Sequence, residues 1–88
     1  MKIRLHRLFK KSYKSRIVPI QKLVLQTQER ITLFKIDSQN AVLKDHGLTG
    51  TKKELRAFSV TGDIRIVYLP LSKNEVVFID IGSHNQVY

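Results

Sequence analysis

Apolar and polar positions change their period about half-way along the 88-residue chain. In the first half, Ile20, Leu23, Val24, Thr27, Ile31 and Phe34 recur at the spacing that places side chains on one side of an α-helix. This predicts a helix over Pro19 to Lys35. Pro19 suits its start, because first-turn N–H groups have no intrahelical partner to lose. Ahead of it, Leu8, Phe9 and Tyr13 give LFKKSYKSR one apolar side, so a shorter helix is expected there, preceded by a short strand in MKIRLH. Asp37-Ser-Gln-Asn40 is a polar breaker, and AVLKDHGLTGTKK, punctuated by Gly47 and Gly50, reads as irregular. Beyond it the segments ELRAFSV, DIRIVYLPL and EVVFIDI are rich in Val, Ile, Phe and Tyr and bounded by turn residues, the signature of strands. Thr61-Gly62 and Ser72-Lys73-Asn74 connect them, and links this short join antiparallel neighbours. Pro70 has no N–H for a ladder and marks a frayed or edge position.

This order predicts an α+β fold, one domain over residues 1–88: two N-terminal helices packed on a small twisted antiparallel sheet. The sheet is a three-strand meander to which the N-terminal segment adds a fourth strand. With the helices on one face, the other is left partly open as a shallow groove.

Composition narrows the function. Hydrophobic residues make up 42% of the chain, which argues against disorder. The absence of cysteine excludes disulfides and thiolate metal sites and accords with the cytoplasm. No apolar run approaches the ~20 residues of a membrane span, and the basic N-terminus lacks an apolar core and cleavage site, so neither membrane association nor a secretion signal is expected. The net charge is +9 and uneven. Residues 1–30 hold nine Lys/Arg against Glu29 alone, a balance of +8, whereas residues 31–88 carry seven Lys/Arg against six acids. Such a field attracts a polyanion or an acidic protein, unless it is simply a solvated helix face.

Three histidines are candidates for chemistry. His6 lies in the basic N-terminal segment and reads as a surface residue. His46 and His84 sit in glycine-flanked polar segments, Asp45-His46-Gly47 and Gly82-Ser83-His84-Asn85, where catalytic groups tend to concentrate. Imidazole titrates near neutral pH, so the two can serve as acid and base, or can simply be solvated. Asp45, His46, Asp63, Asp80 and His84 carry metal-binding atoms, but no HxxxH or HExxH spacing and no dense acid cluster is present, so neither metal nor cofactor is expected. Arg56 and Arg65 fall inside strand-like runs. Either they face the open side, where a guanidinium holds phosphate bidentately, or they pair with Asp63, Asp80 or Glu54. Lys44, Lys52 and Lys53 add positive charge around the same loop. Tyr88 either stacks on a base or anchors the chain end. No GxSxG, P-loop or dinucleotide fingerprint occurs.

The stretch from Leu43 to Tyr88 resembles the RelE/ParE toxin superfamily, in particular its YafQ-like (RelE/StbE) branch. The resemblance rests on Leu43-Lys-Asp-His46, Leu48-Thr-Gly50, Leu55-Arg56-Ala-Phe-Ser-Val60, Asp63-Ile-Arg65-Ile-Val-Tyr68 and Asp80-Ile-Gly-Ser-His84-Asn-Gln-Val-Tyr88, in that order. It covers about half of the chain; the N-terminal half matches only in its order of elements. It implies a compact fold with two helices on one face of a twisted antiparallel sheet, and a bacterial cytoplasmic toxin. Such a toxin cuts mRNA, usually on the ribosome, and is silenced by a cognate antitoxin in a hetero-oligomer. It further implies His46, Asp63, Arg65, His84 and Tyr88 as catalytic residues, with Lys44, Lys52, Lys53 and Arg56 available to bind RNA. Two departures stand out. Ser59 replaces a further histidine of the YafQ-like pattern, and Ile64 replaces its tryptophan, implying a two-histidine site with weaker stacking on substrate. Which histidine is acid and which is base stays open. The alternatives are a ParE-like toxin that poisons a topoisomerase, and a non-catalytic basic RNA- or ribosome-binding module.

Overall fold

A computed structural model describes residues 1–88. Its centre is a five-stranded sheet in the order β1-β5-β4-β3-β2. β3 (Arg56–Ser59), β4 (Ile64–Ser72) and β5 (Glu75–Ser83) form the expected antiparallel meander. β1 (Lys2–Leu5) joins as an edge strand, and it runs parallel to β5, with Lys2 opposite Glu75 and Leu5 opposite Phe78. The sheet is therefore mixed. The chain must leave β1, build its helices and return through the meander before its partner strand exists, and so long a crossover permits a parallel pair. Arg4 ties the two strands further through an ion pair with Glu75.

Alternation along the strands, its phase reset in β5 by the irregularity opposite Val67 and Tyr68, sends Phe58, Val60, Ile64, Ile66, Tyr68, Val76, Phe78 and Ile81 to one face. There they meet α1 (Arg7–Ser12), the π-helical turn Tyr13–Ile17 that continues it, and α2 (Gln21–Ile36). Phe9, Ile17 and Phe34 are the helices' buried contributions to this core. The Phe34 ring lies flat on Phe58 at 4.4 Å and edge-on to Tyr68 at 5.0 Å. Truncating a buried phenylalanine in such a cluster costs about 3–5 kcal/mol, a large part of the margin of a chain this small.

Several local readings change. α2 begins at Gln21; Ile20 is its extended N-cap residue, 52% exposed, and so falls outside the apolar stripe. Pro70 lies inside β4, beyond Tyr68 where pairing with β3 ends, so it occupies a stretch with one free edge, beside an irregularity in the β4–β5 register. Within the segment read as irregular, His46–Gly47 forms a two-residue strand, β2, against Ala57 and Arg56. The closing motif adds a short helix, α3 (His84–Val87). Both are too short for any periodicity to reveal. α3 partly covers the sheet face opposite the larger helices, with Val87 packed on Ala57, Val67, Leu48 and Leu55.

Candidate active site

β2 and α3 bring the two histidines of interest to the same face. α3 is fixed by a capping box: the Ser83 side chain accepts from the backbone of Gln86, while the Ser83 N–H donates to Gln86 Oε1 at 2.7 Å. Gly82 makes this possible, since a Cβ there would lie 2.6 Å from Gln86 Oε1 and 2.8 Å from Arg16 Nη1. At the other end of α3, Lys52 Nζ donates to the carbonyls of Val87 and Tyr88, each at 3.2 Å, a cation where the helix dipole is negative. Tyr88 is thereby held between the histidines. Its ring stands edge-on to His84 at 4.5 Å and to His46 at 6.3 Å, and its hydroxyl is 3.4 Å from His46 Nε2.

Arg65 completes the group. Its guanidinium carbon is 5.8 Å from the centre of the Tyr88 ring. Along β4, Arg65 alternates with the core residues Ile64 and Ile66, so it points to the α3 side of the sheet, opposite Ser59. Its Nε and Nη1 are buried and have no hydrogen-bond partner. Burial pushes the Tyr88 phenol above its ordinary pKa, and the nearby Arg65 charge pulls it partly back. At neutral pH the phenol keeps its proton. A cleft of about 390 Å³ opens here, lined by His46, Gly47, Leu48, Thr49, Lys52 and Tyr88, within the size range of small-ligand sites. A wider depression, about 1000 Å³, runs along α2 past Leu25, Arg30 and Ile36, but it contains no histidine.

The remaining candidates lie elsewhere. Asp63 is exposed in the β3–β4 turn and makes no hydrogen bond to either histidine; its N–H donates to Thr61 Oγ1. Lys44 and Lys53 are exposed, and neither forms an ion pair. Arg56 departs from expectation. It is in phase with Phe58 and Val60, so it points to the side of the larger helices, and its partner is Asp45, at 2.7 Å from Nη2, in place of Asp63, Asp80 or Glu54. The Asp45 side chain is 3% exposed and also accepts a hydrogen bond from the Tyr68 hydroxyl. The hydrogen bond to Asp45 raises the Arg56 pKa, and burial, foremost, raises that of Tyr68. Sequence reasoning missed that Asp45 is the partner of both Arg56 and Tyr68. The phase of Arg56 was the one available signal, since an arginine in register with core residues requires a buried acid. No group of three or more His, Asp or Glu gathers to hold a metal ion, and no helix is long and apolar enough to cross a membrane. His6 caps α1, its Nδ1 accepting from the Leu8 N–H at 3.0 Å.

Helices packed on this mixed sheet, with the site at the end of the meander, fit the fold of the RelE/YafQ-like toxin superfamily. The solved structures it resembles include YafQ from E. coli strain BL21(DE3), with a TM-score of 0.77 and 24% identity over 99% of this chain and 97% of that one. The E. coli DinJ-YafQ toxin-antitoxin complex contains a chain with a TM-score of 0.75 and 25% identity, covering 99% of this chain and 96% of that one. The YoeB/ParE toxin from Agrobacterium tumefaciens gives 0.78 at 19% identity, over 96% and 99%. No family model and no curated protein sequence matches the chain.

Proposed function

We propose that this chain is a one-domain toxin of a type II toxin–antitoxin pair and a metal-independent endoribonuclease that cuts mRNA on the ribosome. The observation that carries this reading is Arg65. Two desolvated guanidinium nitrogens without a partner lie beside a tyrosine that touches both histidines. Leaving buried donors unpaired is costly, and an anion reaching them recovers that cost. A phosphodiester is such an anion, and its charge rises in the transition state, where fixed donors act most strongly.

The chemistry balances without a cofactor. The RNA 2′-oxygen bonds to the adjacent phosphorus, one histidine accepts the 2′-hydroxyl proton, the bond to the 5′-oxygen breaks, and the other histidine protonates that oxygen. A cyclic phosphate and a 5′-hydroxyl remain. DNA lacks the 2′-hydroxyl and is not cut by this route. Of the sixteen Lys/Arg, three are in ion pairs, through Arg4, Arg16 and Arg56. The rest supply a positive field for RNA, and also for an acidic or amphipathic antitoxin that covers the basic surface and buries or displaces the His84–Tyr88 segment. Likeness to a protein named a YoeB/ParE toxin keeps topoisomerase poisoning as the second reading; the paired histidines favour cutting. Primer extension on cellular mRNA after brief induction separates the two. New 5′ ends within minutes are expected; intact messages with DNA damage refute the nuclease.

A further inference from the structure

Neither Asp45 nor Tyr68 has a part in the cutting chemistry, yet they form the most buried polar contact near the site. The backbone between them and His46 is constrained on both sides. Leu43 is fully buried and ends a short 3₁₀ turn over Ala41–Leu43. Lys44 then adopts φ 50° and ψ 40°, the only non-glycine residue of the chain with a positive φ. A left-handed lysine is unfavourable by itself and persists only where its surroundings over-determine it. Here the surroundings are the Leu43 side chain in the core and the Asp45 carboxylate gripped by Arg56 and Tyr68.

The result is a carbonyl aimed at a ring. The Lys44 oxygen lies 2.9 Å from His46 Nδ1. A carbonyl only accepts, so Nδ1 must carry the hydrogen, and in the neutral ring Nε2 is left with its lone pair. Nε2 is the atom that faces the Tyr88 hydroxyl at 3.4 Å. We propose that Asp45, Arg56, Tyr68 and the left-handed Lys44 form a clamp that fixes neutral His46 in its Nδ1–H tautomer, with Nε2 presented to the cleft as a proton acceptor. These are positioning residues, acting through His46. The catalytic consequence rests on the nuclease reading; the tautomer does not.

Nitrogen NMR of the histidine rings, at a pH where His46 is neutral, tests the clamp directly. The folded protein is expected to show His46 mainly as Nδ1–H. Tyr68→Phe removes one hydroxyl and keeps the ring in the core, and it is expected to move the tautomer ratio toward Nε2–H by about fivefold or more, the ratio that one net hydrogen bond sustains. Lys44→Val, at an exposed position, makes the left-handed backbone costlier through its β-branched side chain; it is expected to move the ratio the same way, and it decides the matter if Tyr68→Phe fails to fold. His46 found mainly as Nε2–H in the unaltered protein, or an unchanged ratio in the folded variants, overturns the clamp. RNA cleavage is measured on the same samples. An Nδ1–H ring in a protein that cuts no RNA refutes the nuclease and upholds the clamp, whereas cleavage with an unmoved ratio refutes the clamp alone.

Discussion

Replacing Arg65 by methionine should make the protein more stable and far less active. Methionine keeps much of the length and apolar stem of the side chain but removes the charge. In the free protein, Nε and Nη1 are buried without partners, and an unsatisfied buried donor costs about 1–3 kcal/mol. Against that gain stands the loss of the guanidinium's interaction with the Tyr88 ring, 5.8 Å away, worth roughly 0.5–1 kcal/mol at a partly exposed site. The balance favours the variant by about 1 kcal/mol or more, which for a domain of this size raises the melting temperature by roughly 4–8 °C. The effect on chemistry has the opposite sign. Losing a fixed donor to developing charge lowers turnover by about 10²–10³-fold, whereas substrate affinity rests on the dispersed lysines and arginines. Urea denaturation of the free protein gives the first quantity, and single-turnover cleavage with a separate binding titration gives the second. A variant destabilised by more than about 1 kcal/mol would show that Arg65 has a structural partner in the free state. An unchanged single-turnover rate with much weaker binding would place Arg65 in RNA capture.

Other outcomes follow from the same geometry. His46→Ala and His84→Ala should each lower RNA cutting by about 10²-fold or more, the usual scale for losing an acid or base; wild-type rates in both purified variants would remove the acid–base assignment. Cutting should survive EDTA, and complete loss restored by one divalent ion would contradict the metal-free route, provided the substrate complex stays intact. The folded state raises the pKa of Tyr68, by burial first and then through its hydrogen bond to Asp45, and burial also raises that of Tyr88. The folded protein thus holds these protons more tightly than the unfolded chain. Their contribution is complete below the ordinary tyrosine pKa of about 10 and is lost as pH rises above it, so the urea midpoint should fall on that alkaline side and fall less in Tyr68→Phe. Association with the product of a neighbouring small gene should be fast and weaken in rate as salt rises; a partner whose association rate ignores salt would mean that the basic surface is not its target.

Long elements were legible because burial imposes a period on many residues at once. The stripe from Leu23 to Phe34 fixed α2, and the Val/Ile/Phe runs fixed three strands. Short elements impose no period, so β2 and α3, two and four residues long, stayed hidden although they carry His46 and His84. The parallel placement of β1 was equally hidden, since four residues, one partly buried and three exposed, show no preferred direction. At the site, residue type pointed to His46, His84, Arg65 and Tyr88, which the fold brings together. The family resemblance also pointed to Asp63, which the fold leaves in an exposed turn. What residue type cannot reveal is which acid meets which base, because pairing depends on strand register: Arg56 finds Asp45 only because β2 closes against β3.

That register joins the core to the site. The Tyr68 ring belongs to the aromatic cluster with Phe34 and Phe58, while its hydroxyl grips Asp45, one residue from His46. A shift of that ring by a fraction of an ångström, as repacking Phe34 or Phe58 would cause, changes the length of a buried charged hydrogen bond, and such bonds weaken steeply with poor geometry. Core substitutions of equal stability cost should therefore differ in their effect on His46. Those at Phe34 and Phe58 reach it through Tyr68, whereas one at Phe9, whose aromatic neighbours are Tyr13 and Phe78, should leave it unmoved. The stability of this fold and the readiness of its site are thus separable by position, because among the core side chains only Tyr68 and Leu43 also hold the backbone that carries His46.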